Sequence, residues 1–342
     1  MDLTVTDTQS ELAASVRGVL ERECGADVLR RRVEEGQRPD ALWGRMVELG
    51  WPALTIPTEH GGLGFGFAEL LGVLEELGRA AAPGPLLPTV THLLPAVADD
   101  AAMLGAIASG ERTGSLVTGD VGLDGDVLRG TARHVIEGSW VDTFVVIVGS
   151  GDDTAVHLVD ATEAQRTPEH SVDATRELTT VTIEAAPARP VGGATLASAV
   201  RDHATVGLAC ETIGTVHRLL RMTLDYVAVR EQFDRPIGAF QAVKHQLADA
   251  HVATEKAQAV TWYAALTVAE EDPRRSLAAS MAKAAAGDAA RLVAGRAIQL
   301  HGGIGYTWEH DLHLYLKRAR TNAVLLGDPA EHRARVADLL GV

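Results

Sequence analysis

The strongest constraint on the fold is where the β-branched runs lie. They are confined to residues 112 to about 190, as VLRGTARHVI, TFVVIVG, AVHLVD and LTTVTIEA. Each run is of strand length and is bounded by turn residues, among them Asp124-Gly125, Gly149 to Asp153 and Pro187 to Gly193. On both sides of this region apolar residues recur at helical spacing instead. The pattern predicts a mostly α chain with a middle β domain: an N-terminal helical domain over 1–111, a small antiparallel β domain over 112–193, and a C-terminal four-helix bundle over 194–342.

In the first region, Thr6 or Asp7 caps a predicted helix through Val16, Val19 and Leu20. Two more helical patterns cover Ala41 to Leu49 and Phe67 to Arg79, and an apolar helical stretch follows Pro88. The connection WPALTIPTEHGGLGFG is dense in Pro and Gly and reads as irregular. In the last region the predicted helices run from Leu196 to Arg230, from Phe240 to Asp272-Pro273, from Arg274 to His301, and from His310 to Asn322. Gly302-Gly303 stops the third, and Gly327-Asp328-Pro329 breaks the chain after the fourth.

Composition narrows the function classes. With 342 residues the chain has room for about two domains and a sizeable core. Lys and Arg total 31 against 46 Asp and Glu, a net charge of −15 that argues against binding nucleic acid or an anionic membrane surface. Cys24 and Cys210 form no disulfide framework and no zinc pattern, so both read as small core residues of a reducing compartment. The start, MDLTVTDTQSEL, has no signal-peptide character, and no apolar run is long enough to span a bilayer. The expected location is the cytoplasm. His301, His310 and His313 have no fixed mutual geometry, so no metal site is expected. No Ser-His-Asp or Cys-His constellation points to hydrolysis, and no P-loop is present.

Two segments carry the chemistry. The first is YVAVREQFDRPIGAFQAVKHQLAD, from Tyr226 to Asp249. Here Arg230 is read in the last turns of one helix, Phe233 one turn later, Pro236 as the end of that helix, and Gln241 as the opening of the next. A guanidinium, an aromatic face and a carboxamide at such a corner grip a phosphate-bearing ligand, or else form a capped junction with Arg230 solvated. The second segment, AIQLHGGIGYTWEHDLHLYLKRAR, runs from Ala297 to Arg320. Its Gln299 precedes Gly302, Gly303 and Gly305, and glycines let backbone approach a ligand closely. Of the other residues, His245 reads as a bundle-packing group, Trp140 as core or cofactor-adjacent, and Arg218 and Arg221 as facing solvent or an interface.

Together the two segments resemble the signature of the acyl-CoA dehydrogenase family of flavoproteins, Arg-x-x-Phe-Gly-x-Pro-Ile-x-x-Phe-Gln followed by Gln-x-x-Gly-Gly-x-Gly-Tyr. The matching residues are Arg230, Phe233, Pro236, Ile237, Phe240 and Gln241, then Gln299, Gly302, Gly303, Gly305 and Tyr306. Residues 49 to 80 also resemble the family's N-terminal domain. The resemblance implies FAD and a CoA thioester substrate. It further implies that Arg230, Gln232, Phe233, Gln241, Gln299, Gly302 and Gly303 reach across a subunit interface to the pyrophosphate and adenosine side of a partner's FAD.

Departures from the family pattern are equally specific. The family's base is a Glu in Tyr-Glu-Gly-Thr, and the matching stretch here is Leu325, Leu326, Gly327, Asp328, with Leu326 in the place of the Glu. The alternative base position of some members falls near Ala204. Asp202, Asp328 and Glu331 are the remaining candidates for a displaced base, although Asp328-Pro329 also reads as the cap of a terminal helix. In the β domain only Thr118 matches the family's flavin-ring loop. The Trp-Ile-Thr strand aligns with His134, Val135 and Ile136.

The resemblance therefore implies a non-catalytic subunit of an FAD-dependent acyl-CoA dehydrogenase. Such a subunit pairs, as a heterodimer or heterotetramer, with a second acyl-CoA dehydrogenase subunit that keeps its Glu. Actinobacterial steroid-type enzymes are similar, and electron-transfer flavoprotein is the implied acceptor. The rival expectations are a self-sufficient homomer with a relocated base, and a structural partner subunit that binds no flavin.

Overall fold

The computed structural model describes residues 4–187 and 189–342. The chain divides into two compact units. One comprises the chain up to Arg30, Leu71–Ala82 and Thr205–Val342; the other comprises Arg31–Leu70 and Pro83–Ala204.

The first unit is helical. It contains α1 (Asp7–Glu23), and of the two expected caps it is Thr6, not Asp7, that serves: Thr6 Oγ1 accepts from the Gln9 backbone N–H at 3.2 Å and Gln9 Oε1 accepts from that of Thr6 at 3.0 Å. Val16, Val19 and Leu20 face the core at i, i+3, i+4 spacing. The unit also takes in the end of α4 (Phe67–Ala80) and α7 (Ala194–Val229) from Thr205 onward. The remainder is α8 (Gln241–Ala269), α9 (Arg275–His301), α10 (Leu312–Asn322) and α11 (Pro329–Leu340). α9 is the central rod and packs against α8, α10 and α11. Its alanines (Ala278, Ala282, Ala286, Ala290 and Ala294 among them) are buried on several faces, so neighbouring helices close on it from more than one side.

Two features fix α4 against α7. Gly78 and Gly214 let the helices approach until the backbones touch: a Cβ on Gly78 would lie 1.8 Å from the Glu211 carbonyl oxygen, and one on Gly214 would lie 1.8 Å from that of Glu75. Beside this crossing, Arg318 of α10 is fully buried and donates to Glu211 of α7 at 2.6 Å and to the Ala81 carbonyl at 3.3 Å. Asn322 adds a 3.4 Å bond to the same carboxylate. A further group of charges binds α1, α4 and α7, with Arg17 bidentate on Glu76, and His217 and Arg79 on Glu75.

The second unit takes in α2 (Ala26–Glu35) from Arg31 onward and α3 (Asp40–Glu48), continues with the short helix α5 (Leu86–Pro88) and α6 (Ala101–Ala108), and includes two four-stranded sheets. The strands are β1 (Gly114–Val117), β2 (Asp120–Asp124), β3 (Val127–Ile136), β4 (Thr143–Val148), β5 (Ala155–Asp160), β6 (Gln165–Pro168), β7 (Leu178–Pro187) and β8 (Arg189–Gly193). One sheet has the order β1-β4-β5-β8 and the other β2-β3-β7-β6. Residues of both sheets, including Val117, Phe144, Val146, Val159, Leu128, Val181 and Ile183, share one core. All pairings are antiparallel except β1 with β4, which is parallel. Cys24 and Cys210 are free and buried, as expected of small core residues, and burial pushes the Cys24 thiol up to about 12.

Two local expectations fail. Pro187 to Gly193 is not only a turn: Arg189–Gly193 pairs with β5 as an edge strand, a position that tolerates Pro190 and glycines because one side of the backbone needs no partner. The first C-terminal helix does not run to Pro236; α7 stops at Val229, and the chain turns through a hairpin instead.

The close crossing makes a direct stability prediction. Gly214→Ala should lower stability by about 1–3 kcal/mol or more, because the neighbour it meets is backbone and cannot swing away. Gly78→Ala should do the same, and the midpoints of urea unfolding measure both. Arg318→Met should cost about 3–5 kcal/mol by leaving the buried Glu211 carboxylate without its guanidinium. Pairing it with Glu211→Leu should recover most of that loss in the same assay.

Candidate functional site

The Arg230 segment is a β-hairpin. β9 (Glu231–Gln232) pairs with β10 (Arg235–Pro236), and the register sets Gln232 opposite Arg235. The two turn residues are Phe233 and Asp234, with φ of +54° and +58°. Both signs are those of the type I′ turn that joins tightly paired strands, although glycine or asparagine takes this geometry with less strain than Phe. The hairpin is closed at its base by the Ile237 N–H on the Arg230 carbonyl at 2.7 Å, and the Arg230 N–H donates to Tyr226 at 2.9 Å. Arg230 is thus the first residue beyond α7 and not part of its last turn. Its side chain is exposed, as are those of Gln232 and Gln241. Phe233 projects with 87% of its surface open, an unusual state for a phenylalanine. Its ring meets Phe240 edge-on at 6.1 Å, and the Arg235 guanidinium lies 4.1 Å over the Phe240 ring. Gln241 is the first residue of α8, where unbonded N–H groups favour negative charge.

The second segment lies at the C-terminal end of α9. Gln299 is exposed, His301 is buried as the last helical residue, and Gly302 ends the helix with φ of +61°. A Cβ on Gly302 or on Gly303 would meet no atom within 4 Å. The turn therefore presents bare backbone to open space. Tyr226, one turn before Arg230, touches His301, so the structure brings the two segments together.

Leu326, the residue expected at the base position, has φ of +57°. It is tied down through its backbone: His332 Nε2 donates to the Leu326 carbonyl at 2.9 Å, and the buried Lys283 Nζ donates to those of Gly327 at 2.8 Å and Ala323 at 3.2 Å. Burial pulls the Lys283 ammonium down to about 8. Asp328 and Glu331 cap each other. Asp328 accepts from the backbone N–H groups of Ala330 and Glu331, and Glu331 accepts from that of Asp328 at 2.8 Å. Those backbone bonds hold the Asp328 carboxyl below the usual carboxylate range. Asp202 and Ala204 are buried on the part of α7 that belongs to the second unit.

On the β domain, Thr118 is exposed just after β1. His134 stands where the register of β3 against β7 shifts, with φ of +61°. Its backbone N–H and its Nδ1 both engage Glu169, at 2.9 and 2.6 Å, and Thr180 donates to the same carboxylate at 2.8 Å. Burial pushes the Glu169 carboxyl up, but bonds from the His134 backbone, Thr180 and the His134 ring outweigh it and hold it below its ordinary range. Trp140 is half-buried, with Gly84 against its ring edge and the Arg38 guanidinium 5.4 Å from the ring centre. His245 is exposed on α8 and packs no bundle core, while Arg218 lies over the Tyr315 ring and Arg221 pairs with Asp225. Sequence reasoning missed Tyr226, Lys283, His332 and Glu169. Only Tyr226 left a signal there, an aromatic four residues before Arg230 and so on the same helix face.

Residues 6–100 match the acyl-CoA dehydrogenase N-terminal domain, and residues 192–340 match the acyl-CoA dehydrogenase C-terminal domain. The sequence is 37% identical over 335 residues to the acyl-CoA dehydrogenase IpdE2 of Mycobacterium tuberculosis, covering 96% of each chain. It is 33% identical to acyl-CoA dehydrogenase FadE34 of the same organism, where the match takes in 99% of this chain and 49% of that one. The fold is similar to that of a chain in the ChsE4–ChsE5 complex from Mycobacterium tuberculosis, with a TM-score of 0.92, 29% identity, and coverage of 100% of this chain and 99% of that one. It is also similar to a chain of the Tcur3481–Tcur3483 steroid acyl-CoA dehydrogenase, with a TM-score of 0.90, 28% identity and 97% of each chain covered. With both family domains matched, and a relative so similar along nearly the whole length, the chain belongs to the acyl-CoA dehydrogenase family.

Proposed function

We propose that this chain is the base-lacking subunit of a heteromeric acyl-CoA dehydrogenase and completes the FAD site of a partner subunit. FAD is the cofactor of the family. The residues of the first unit fit its pyrophosphate and adenosine side. Arg230 offers an exposed guanidinium for phosphate oxygens, Gln241 a carboxamide at a helix N-terminus, and Gly302-Gly303 a backbone face that side chains would fill. Gln232, Phe233 and Gln299 are exposed around the same two segments. The residues at the ring-binding positions fit poorly. His134 is turned into a strained bulge and engaged by Glu169, so it provides neither the flat aromatic surface nor the hydroxyl of the family strand.

The observation that carries the reading is the exposed Arg230, Gln241 and Gly302-Gly303 backbone, set beside a leucine where the resemblance expects the base. Removing an α-proton from an acyl-CoA needs a positioned base, an effect of roughly 10²–10⁴-fold, and leucine has no group to accept it. The acids beside Leu326 in sequence support no substitution, since Asp328 and Glu331 are engaged as a helix cap. In the assembled enzyme the partner's carboxylate takes the α-proton, the bound flavin supplies the hydride acceptor, and this chain holds the cofactor's tail. The paired subunits of the ChsE4–ChsE5 and Tcur3481–Tcur3483 complexes support a heteromer, and the latter's steroid designation favours a bulky CoA thioester as substrate. In FadE34 a match of this length leaves about half the chain for a second unit of similar size, as a tethered pair would require. We place the complex in the cytoplasm, passing electrons to an electron-transfer flavoprotein; no helix among the described residues is long and apolar enough to cross a membrane.

The test is Arg230→Ala in the chain co-expressed with a base-bearing family member from the same genome. FAD affinity should fall roughly 10- to 100-fold, the worth of a hydrogen-bonded charge, although the altered subunit carries no base. Flavin content and equilibrium binding of FAD measure it, and unchanged affinity would refute the proposed role. Leu326→Glu in the chain alone should create no dehydrogenase activity, because the ring-binding positions remain unsuited; acyl-CoA-dependent dye reduction is the readout.

A further inference from the structure

We propose that Tyr226 is a positioning residue for the dinucleotide grip: its ring, stacked on His301, locks the Gln299–Gly303 turn to the helix that carries Arg230. The assignment rests on the reading that these two segments hold the tail of FAD. Tyr226 and His301 lie nearly parallel, with ring centres 4.3 Å apart and planes inclined by 19°. The Tyr226 hydroxyl also donates to the His301 carbonyl at 3.4 Å. His310 closes the group edge-on, 4.9 Å from His301 and 6.2 Å from Tyr226.

The connections of these rings give the stack its reach. The backbone carbonyl of Tyr226 accepts from Arg230, so the residue that fixes the end of α7 is the same one whose ring meets α9. His301 is the last residue before Gly302, and its Nδ1 bonds to the Ala297 carbonyl at 2.8 Å, which assigns the ring proton to Nδ1 and anchors the ring to its own helix. Burial moves the His301 imidazole below its ordinary range, so the ring is neutral at neutral pH and stacks without a charge to solvate. His310 Nδ1 accepts from the Leu312 N–H at 3.1 Å, which fixes the third ring from α10. The turn is tied to its own helix by the Gly302 N–H on the Ile298 carbonyl and by buried Gly305 against Ile298 and Leu312, while the Cβ directions of Gly302 and Gly303 meet no atom within 4 Å and Gln299 is exposed. Its link to the helix that leads to Arg230 runs through His301 and Tyr226. A dinucleotide tail that touches both segments needs them in fixed register, and a rigid aromatic contact supplies this at small entropic cost.

The experiment uses the complex with the base-bearing partner, stripped of FAD and titrated with FAD by fluorescence quenching. Amide hydrogen exchange over residues 299–303 is followed in the FAD-free sample. Tyr226→Leu, which removes the stack, should raise exchange at Gly302 and Gly303 at least tenfold and weaken FAD binding about tenfold. Tyr226→Phe, which keeps the ring and loses only the long hydroxyl contact, should stay within twofold of the parent on both counts. If Tyr226→Leu does not fold, His301→Leu removes the other half of the stack and carries the same expectations. Exchange and affinity within twofold of the parent in the leucine variant would overturn the proposal, as would a Tyr226→Phe variant that binds FAD as weakly as Tyr226→Leu. Arg230→Ala run alongside separates the two levels: if it weakens FAD while the leucine variant does not, the positioning role alone falls. If it leaves FAD affinity unchanged, the grip itself is misassigned and the role of Tyr226 toward the cofactor falls with it.

Discussion

Arg318 has no solvent exposure and holds three parts of the first unit at once: Glu211 on α7, the Ala81 carbonyl after α4, and its own helix α10. A guanidinium this deeply buried is tolerated only when its charge is matched and its N–H groups are bonded. The glycine crossing beside it lets α4 and α7 close to backbone contact, and so fixes the height of α7 in the helical unit. Everything that reaches the functional surface follows from that placement. α7 delivers Tyr226 and then Arg230, and the hairpin built on its end delivers Phe233.

The surface so built has one chemical character. It offers a cation, carboxamides, an open backbone face and an exposed aromatic ring, which together suit a diphosphate with an attached base. Beside Leu326, the carboxylates of Asp328 and Glu331 are engaged as the cap of α11. The stretch with Leu326 is held by Lys283 and His332 through its carbonyls, so the position is well fixed in space while its side chain is inert. An exposed phenylalanine with 87% of its surface in water is costly unless something covers it.

Much of the fold was legible in the sequence because pattern and structure obey the same spacing. VLRGTARHVI and AVHLVD are β3 and β5 to the residue, and the cap of α1 was legible as Thr6 or Asp7. The hairpin at Arg230 was hidden because Phe233-Asp234 has none of the glycine or asparagine that marks such turns, and only the surrounding pairing holds it at positive φ. α2 escaped notice because its RRRVEE run is dominated by charge and its apolar positions are few. β8 was read as turn because Pro190, Gly192 and Gly193 are turn residues that an edge strand also accepts. The ion pair of Arg318 and Glu211, 107 positions apart, has no local signature at all.

The central claim is that one subunit contributes the tail grip and the other the ring pocket and the base. The flavin stoichiometry of the purified heteromer, set against that of this chain alone, tests it most directly. The account predicts a colourless chain alone and an assembly in which the number of FAD molecules equals the number of base-bearing partner subunits. One FAD for every subunit of either kind, or a yellow homomer of this chain that acyl-CoA bleaches, would contradict it.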